Sequence, residues 1–451
     1  MTFLEEQKRR IDNINAAEAK NKKYFRRTRI RDYLAGQVIY GLGDYPARVS
    51  AAPTEYDYNL LKQMADAGIR LVQVHEEWND AIRLYGADKF HAPDHEGMKQ
   101  FIELCHSLGM KVLAYVSSGY FQENDPDFRE EFTRPKGVNS KGETEYHQLL
   151  CTSNYFNYRM CWCGSKEWRN YIIPKTFQVM DEYGFDGIFN DWGYDGKMFH
   201  PHNVPLPYDP ELEDMLGILY QGVKSRGGIY KLHADRNNQP PCKDKVYDYL
   251  WIGEGVSETK PGTGKDYPDY VVPCVDLNQS KDEKDAYMAR TIPYLQFPLL
   301  KYGRPILGNN QNLPGVTYYG GGEQEFYNKV HDYMEQHPDG PYVYSLWSAI
   351  PDDPSEYPHW LEFLKLYLPM VTENTLAYIE LSESEYIKSP LADDVCASMF
   401  VNEDIHLAFS NFADKPYELV LEGKWLERRS GKRGSVFTVD SKNIVFLVKQ
   451  Q

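Results

Sequence analysis

GFDGIFNDWGYDG (184–196) runs Gly187, Ile188 and Phe189 straight into Asn190 and Asp191. A short apolar run bounded by glycines reads as a buried parallel strand, and the amphipathic stretch KEWRNYIIPKTFQVMDEYG (166–184) ahead of it reads as its crossover helix. The same alternation extends both ways. Upstream lie QVIYGLGDYP (37–46) with a helix over 58–67, IRLVQVHEEWND (69–80) with a helix over 95–108, and KVLAYVSSGYF (111–121). Downstream lie a helix over 210–225, IYKLHAD (229–235), YDYLWIGEGVSE (247–258), GRPILGNN (303–310), a helix over 323–336, GPYVYSLWSAI (340–350) and a helix over 359–368. Repeated strand–helix units imply parallel strands with helices outside. Eight units with no Gly-x-Gly-x-x-Gly turn after the first predict an α/β fold, a closed (β/α)8 barrel rather than a dinucleotide-binding sheet.

The 451 residues would make about three domains at ~150 residues each, but the barrel absorbs most of them. The predicted organisation is an N-terminal helical segment (1–34), the barrel (35–372) and a C-terminal domain (373–451). The last is read from TLAYIEL, CASMFVN, IHLAFSNF, YELVLEG, SVFTV and NIVFLV, short alternating runs with no helical period, as an antiparallel β-sandwich. Residues 1–34 hold ten Lys/Arg against five Asp/Glu, so the rest of the chain is more acidic than the net charge of −16 shows. A basic helix docked on an acidic body is the simplest reading. A partner-binding or dimerisation arm is the alternative, which leaves a homo-oligomer open.

The acidic balance excludes nucleic-acid binding by phosphate neutralisation. No apolar run reaches the ~18 residues of a membrane span. The seven cysteines are too sparse for a disulfide framework, and the N-terminus lacks a signal-peptide pattern. The expected location is cytoplasmic, or exported if a signal segment has been removed. Aromatics reach 14%, with 36 Tyr, which suits stacking on flat apolar ligand faces as well as core packing.

Barrel chemistry sits at the C-terminal ends of the strands. Strand four ends in Asp191 and strand six in Gly253-Glu254-Gly255. A carboxylate at the end of an apolar run is partly desolvated beside other groups, the condition that splits the pKa values of a pair. Two such carboxylates meet the needs of glycosidic cleavage, one protonating the leaving oxygen and one attacking the anomeric carbon or activating water. A separation of ~5–5.5 Å would mean retention and ~6.5–9.5 Å inversion.

CWCGSKEWRNYIIPKTFQVMDEYGFDGIFNDWGYDG (161–196) resembles a block of glycoside hydrolase barrels of the α-L-fucosidase and α-galactosidase superfamilies. HAPDHEGMKQFIELCHSLGMKVLAYVSSGYF (91–121) and SNFADKPYEL (410–419) are similar in style to other parts of them. The resemblance implies a retaining glycosidase with Asp191 as nucleophile and Glu254, on strand six, as acid/base. Related families place the acid on strand five or on a loop.

Further residues at strand ends are candidates for a carbohydrate substrate: Asp44, the HEEWND group with His75, Glu76, Glu77 and Trp78, then Tyr115, Trp192, His233, Asp235, Asn309 and Trp347. Glu77 is a second candidate acid. The long segment 122–164 reads as a lid carrying Tyr146, Tyr155, Phe156, Tyr158 and Trp162. Cys151, Cys161 and Cys163 lack zinc-ligand spacing, and no cofactor is expected. Two other classes remain: a metal-dependent hydrolase using His200, His202, His233 and Asp235, and a catalytically silent carbohydrate-binding barrel.

Overall fold

The computed structural model describes residues 2–31, 33–43, 50–75, 78–80, 83, 86–123, 125–133, 158–191, 207–233, 240–251, 272–276, 284–304, 336, 357–371 and 376–450. The chain begins with helix α1 (Phe3–Lys20) and strand β1 (Tyr24–Ile30). There follow β2 (Gln37–Gly41), α2 (Glu55–Asp66), β3 (Leu71–Gln73), α3 (His95–Ser107) and β4 (Lys111–Ser117). A hairpin, β5 (Tyr120–Gln122) with β6 (Tyr158–Met160), precedes α4 (Lys166–Tyr183), β7 (Gly187–Asp191), α5 (Pro210–Ser225), β8 (Ile229–His233) and β9 (Tyr249–Trp251). Then come β10 (Val272–Asp276), α6 (Lys284–Thr291), β11 (Pro298–Gly303) and α7 (Tyr357–Tyr367).

Eight strands close a barrel in the order β10-β11-β2-β3-β4-β7-β8-β9, with parallel pairing. The first six are the segments the sequence predicts. The last two differ. Residues 272–276 form the seventh strand and 298–303 the eighth, so barrel strand eight ends where the seventh was expected to begin. Residues 305–310 and the expected eighth strand, 340–350, lie outside the described residues.

Local chemistry explains the helix starts. Thr54 and Asp57 form a reciprocal capping box at α2, and the Ser165 hydroxyl caps α4 by accepting the Trp168 N–H at 3.1 Å. The α4 helix stops at Gly184, whose φ of +82° is left-handed. Gly187 opens strand four because a Cβ there would collide with the Ile229 carbonyl of β8.

By internal contacts, one compact unit comprises Gln37–Trp251 with Lys301–Pro354, the other Met1–Gly36, Ile252–Leu300 and Ser355–Gln451. The second unit holds an antiparallel sheet ordered β1-β12-β13-β14-β17-β15-β16, built from β1, β12 (Leu376–Leu381), β13 (Val395–Val401), β14 (Ile405–Asn411), β15 (Tyr417–Glu427), β16 (Arg433–Val439) and β17 (Asn443–Lys449). The C-terminal β domain is thus present as one continuous hydrogen-bonded sheet.

Its core, around Phe409, Leu419, Trp425 and Leu447, takes in Ile14 and Ala17 of α1. The basic helix docks on acidic neighbours, Arg10 pairing with Glu403 and Arg9 with Asp404 at 2.7 Å. The N-terminal segment is nevertheless not helical throughout, since Tyr24–Ile30 pairs with β12. No described helix is long and apolar enough to cross a membrane.

Candidate active site

Three adjacent strands converge on Asp191. Alternation along β7 separates Asp191 and Phe189 from Asn190. Asp191, the last residue of β7, is 8% exposed. Tyr115 of β4 donates its hydroxyl to Asp191 Oδ2 at 2.9 Å, and His233 Nδ1, from the end of β8, bonds Oδ1. The two bonds, one to each oxygen, fix the orientation of the carboxylate.

An aromatic floor surrounds the pair. His233 stacks on Trp251 with centroids 4.7 Å apart, and Trp251 meets Phe189 at 4.8 Å. His75 packs on Tyr115 at 5.0 Å and on Phe189 at 6.0 Å. Lys231 is fully buried in the same unit, donating to Gln37 Oε1 at 3.1 Å, with its ammonium 5.7 Å from the Phe189 ring centroid.

Asn190, on the other side of the strand, acts as a brace. Its amide donates to Ser118 Oγ at 2.7 Å and Tyr230 Oη at 2.6 Å, and accepts the Ser118 N–H at 2.9 Å. The Tyr230 phenol is held well above its usual range by burial. Behind the next turn, Lys89 donates to the Tyr120 carbonyl at 2.7 Å, and burial pulls its ammonium down to about 8.

Of the residues singled out from sequence, Asp191, Tyr115, His233 and His75 are brought together. Trp78 is a correction. It is fully buried, its indole donates to the Tyr115 carbonyl at 2.8 Å, and it packs edge-on against Tyr183 and Phe185. It is therefore a core residue and not the substrate contact expected from sequence. Asp44, Glu76, Glu77, Trp192, Asp235, Glu254, Asn309 and Trp347 lie outside the described residues, as do His200 and His202. Asp186, read as structural, accepts the Val112 N–H at 2.8 Å and bonds His106 at 2.7 Å, at the opposite end of the strand from Asp191.

Within the proposed lid, residues 134–157 are also outside the described set. Its flanks are ordered by the β5–β6 hairpin and by Arg159, which meets Glu130 at 3.0 Å and Glu123 at 3.1 Å. Among the described residues one group with metal-ligand atoms gathers within 4.8 Å: Cys163, Asp209 and Glu211. The Asp209 carboxylate already caps α5, accepting the N–H groups of Glu211 and Leu212 at 3.0 Å each, which accounts for its position.

Sequence reasoning missed Asn190, Tyr120 and Lys89. Asn190 adjoins the aspartate in the quoted strand and alternation alone separates their roles. Lys89 carries no such signal, being a charged residue in a loop.

No family model matches the chain. Over 186 residues it is 23% identical to a 1,4-α-glucan-branching enzyme of Felis catus, covering 40% of this chain and 26% of that protein. Over 183 residues it is 26% identical to a 1,4-α-glucan-branching enzyme of Solanum tuberosum, covering 38% and 20%. The chain thus spans about a quarter or less of the length of these curated relatives. Among solved structures it is similar to a maltogenic α-amylase of Thermotoga neapolitana (TM-score 0.52, 14% identity, 93% of this chain and 99% of that one). It is also similar to an α-glucosyl transfer enzyme (0.56, 11%, 92% and 99%) and to AmyP in complex with maltotriose (0.50, 11%, 94% and 97%). At these identities the likeness establishes the fold, an α-amylase-like barrel with a C-terminal β domain. The narrower α-L-fucosidase and α-galactosidase resemblance gains no support from these relatives.

Proposed function

We propose that this protein cleaves or transfers α-glucosidic bonds of an α-glucan by double displacement, with Asp191 as nucleophile. The observation that carries this reading is the placement of Asp191 at the exit of barrel strand four, with one oxygen oriented by Tyr115 and the other by His233. An Asp191 oxygen attacks the anomeric carbon as the bond to the leaving oxygen breaks. That oxygen takes a proton from an acid, the role assigned from sequence to Glu254. Water, or the hydroxyl of a second sugar, then displaces Asp191 and returns a proton to the same residue. Choice of water gives hydrolysis, and choice of a sugar hydroxyl gives transfer. Support for an α-glucan comes from the branching-enzyme similarity and the amylase-type fold.

A screen of maltooligosaccharides, starch, glycogen and nitrophenyl glycosides tests the reading. Asp191→Asn should lower kcat by on the order of 10⁴-fold on whichever substrate is turned over. Equal turnover by parent and variant would remove Asp191 from the mechanism. The His233 bond favours a second reading, in which Asp191 orients His233 as a general base. In that case no covalent glycosyl–Asp191 adduct forms.

A further inference from the structure

The turn after barrel strand three is fixed at every carbonyl. Ser118 O accepts the Trp168 indole N–H at 2.9 Å, Gly119 O accepts the Cys161 N–H at 2.9 Å, and Tyr120 O accepts from Lys89 Nζ at 2.7 Å. The Ser118 N–H is in turn bonded to Asn190. Loop tips are ordinarily the least constrained part of a barrel. This one is tied from α4, from the approach to α4, from the segment before α3 and from β7.

The product of that bracing is the placement of one hydroxyl. Tyr120 Oη lies 2.8 Å from Tyr115 Oη, which lies 2.9 Å from Asp191 Oδ2. A phenol has one proton to give. Tyr115 gives its proton to Asp191, since an ionised carboxylate only accepts, so Tyr120 is the donor in the contact between the two phenols. Hydrogen bonds in series polarise one another. The Lys89 ammonium, 5.3 Å from the Tyr120 ring centroid, draws on the ring's electrons and makes that phenol a better donor.

We propose that Tyr120 is a positioning residue: held by the braced turn, it donates to Tyr115 and so sets the strength and direction of the Tyr115 bond to Asp191. This rests on the reading of Asp191 as the reacting carboxylate. Tyr120 does not touch Asp191, and its effect is transmitted through Tyr115.

Tyr120→Phe removes a single oxygen and is the test. On the substrate found by the screen, kcat should fall about tenfold with KM changed less than about twofold. A second readout needs no turnover. The carboxylate stretching band of Asp191, isolated as the infrared difference between a protein and its Asp191→Asn variant, should shift when measured in the Tyr120→Phe background. An unmoved band overturns the proposal, whatever happens to kcat. If the parent cleaves no glycoside, the proposed function fails while the band still decides the positioning role. If the parent cleaves and the band stays in place, positioning fails and the function stands.

Discussion

Asp57, at the start of α2, and Asp191, at the end of β7, are both buried in the barrel unit, yet their partners differ in kind. Asp57 is locked by a guanidinium. Arg304 meets its two oxygens at 2.8 and 3.0 Å, while Tyr40 Oη and the Thr54 N–H each donate at 2.7 Å. The remaining N–H groups of Arg304 hold the carbonyls of Ser50, Ala51 and Ala52 at 2.7–3.1 Å. Burial by itself raises the Asp57 carboxyl, but the hydrogen bonds and charge of Arg304 outweigh it and leave the group below the usual carboxylate range. The described partners of Asp191 are instead a phenol and an imidazole. A guanidinium neutralises a carboxylate and builds it into the fold. A phenol orients a carboxylate without bringing a positive charge of its own.

Removing the guanidinium breaks the comparison hardest. Arg304→Met should cost about 3–5 kcal/mol by stranding Asp57 in the interior, whereas Asp191→Asn, which keeps the side-chain shape and an acceptor for Tyr115, should cost less. Urea midpoints at neutral pH check both. The sign with pH is fixed by the lowered Asp57 value. Its contribution is fully present above the ordinary carboxylate range and is lost as pH falls through the folded value, so the gap between parent and Arg304→Met should narrow in acid.

A milder contrast comes from the sheet unit. Arg10 is 1% exposed, but the side chain of its partner Glu403 keeps 24% of its surface. Arg10→Met should therefore cost only about 1–2 kcal/mol, released as an earlier thermal transition, with turnover unchanged.

A further contrast concerns Lys89, whose ammonium is pulled down to about 8. A lowered lysine makes the folded state gain stability as pH rises through that value towards the unfolded one. Stability relative to Lys89→Met should thus improve by about 1–2 kcal/mol between about pH 7.5 and 9.5. A constant difference in urea midpoint across that range would mean that Lys89 titrates normally.

Much of this fold is legible in the sequence because six barrel strands are short apolar runs, most of them next to a helix of clear period, and α5 is read at its observed ends. The seventh and eighth strands escape a sequence reading for physical reasons. VPCVD is only five residues long, and PLLKYG carries a lysine and a leading proline, so neither stands out from its neighbours. β1 was hidden because its inward residues include Arg26 and Thr28, both buried, so the usual apolar alternation is missing. At the site, Asp191 was legible as the polar end of an apolar strand. The sequence misplaces Trp78 because barrel strand two, β3, ends at Gln73, and strand alternation does not extend to a residue five positions beyond it. Tyr120 and Lys89 depend on a meeting of distant segments, which no local pattern records.

The central claim is that Asp191 is a nucleophile, and covalent capture tests it most directly. The protein would be incubated with a fluorinated α-glucosyl fluoride, which allows the first displacement and slows the second, then digested and analysed by peptide mass spectrometry. The account predicts one glucosyl adduct on the peptide carrying Asp191, absent from Asp191→Asn. Turnover of an α-glucan with the adduct on another carboxylate, or with no adduct at all, would contradict it.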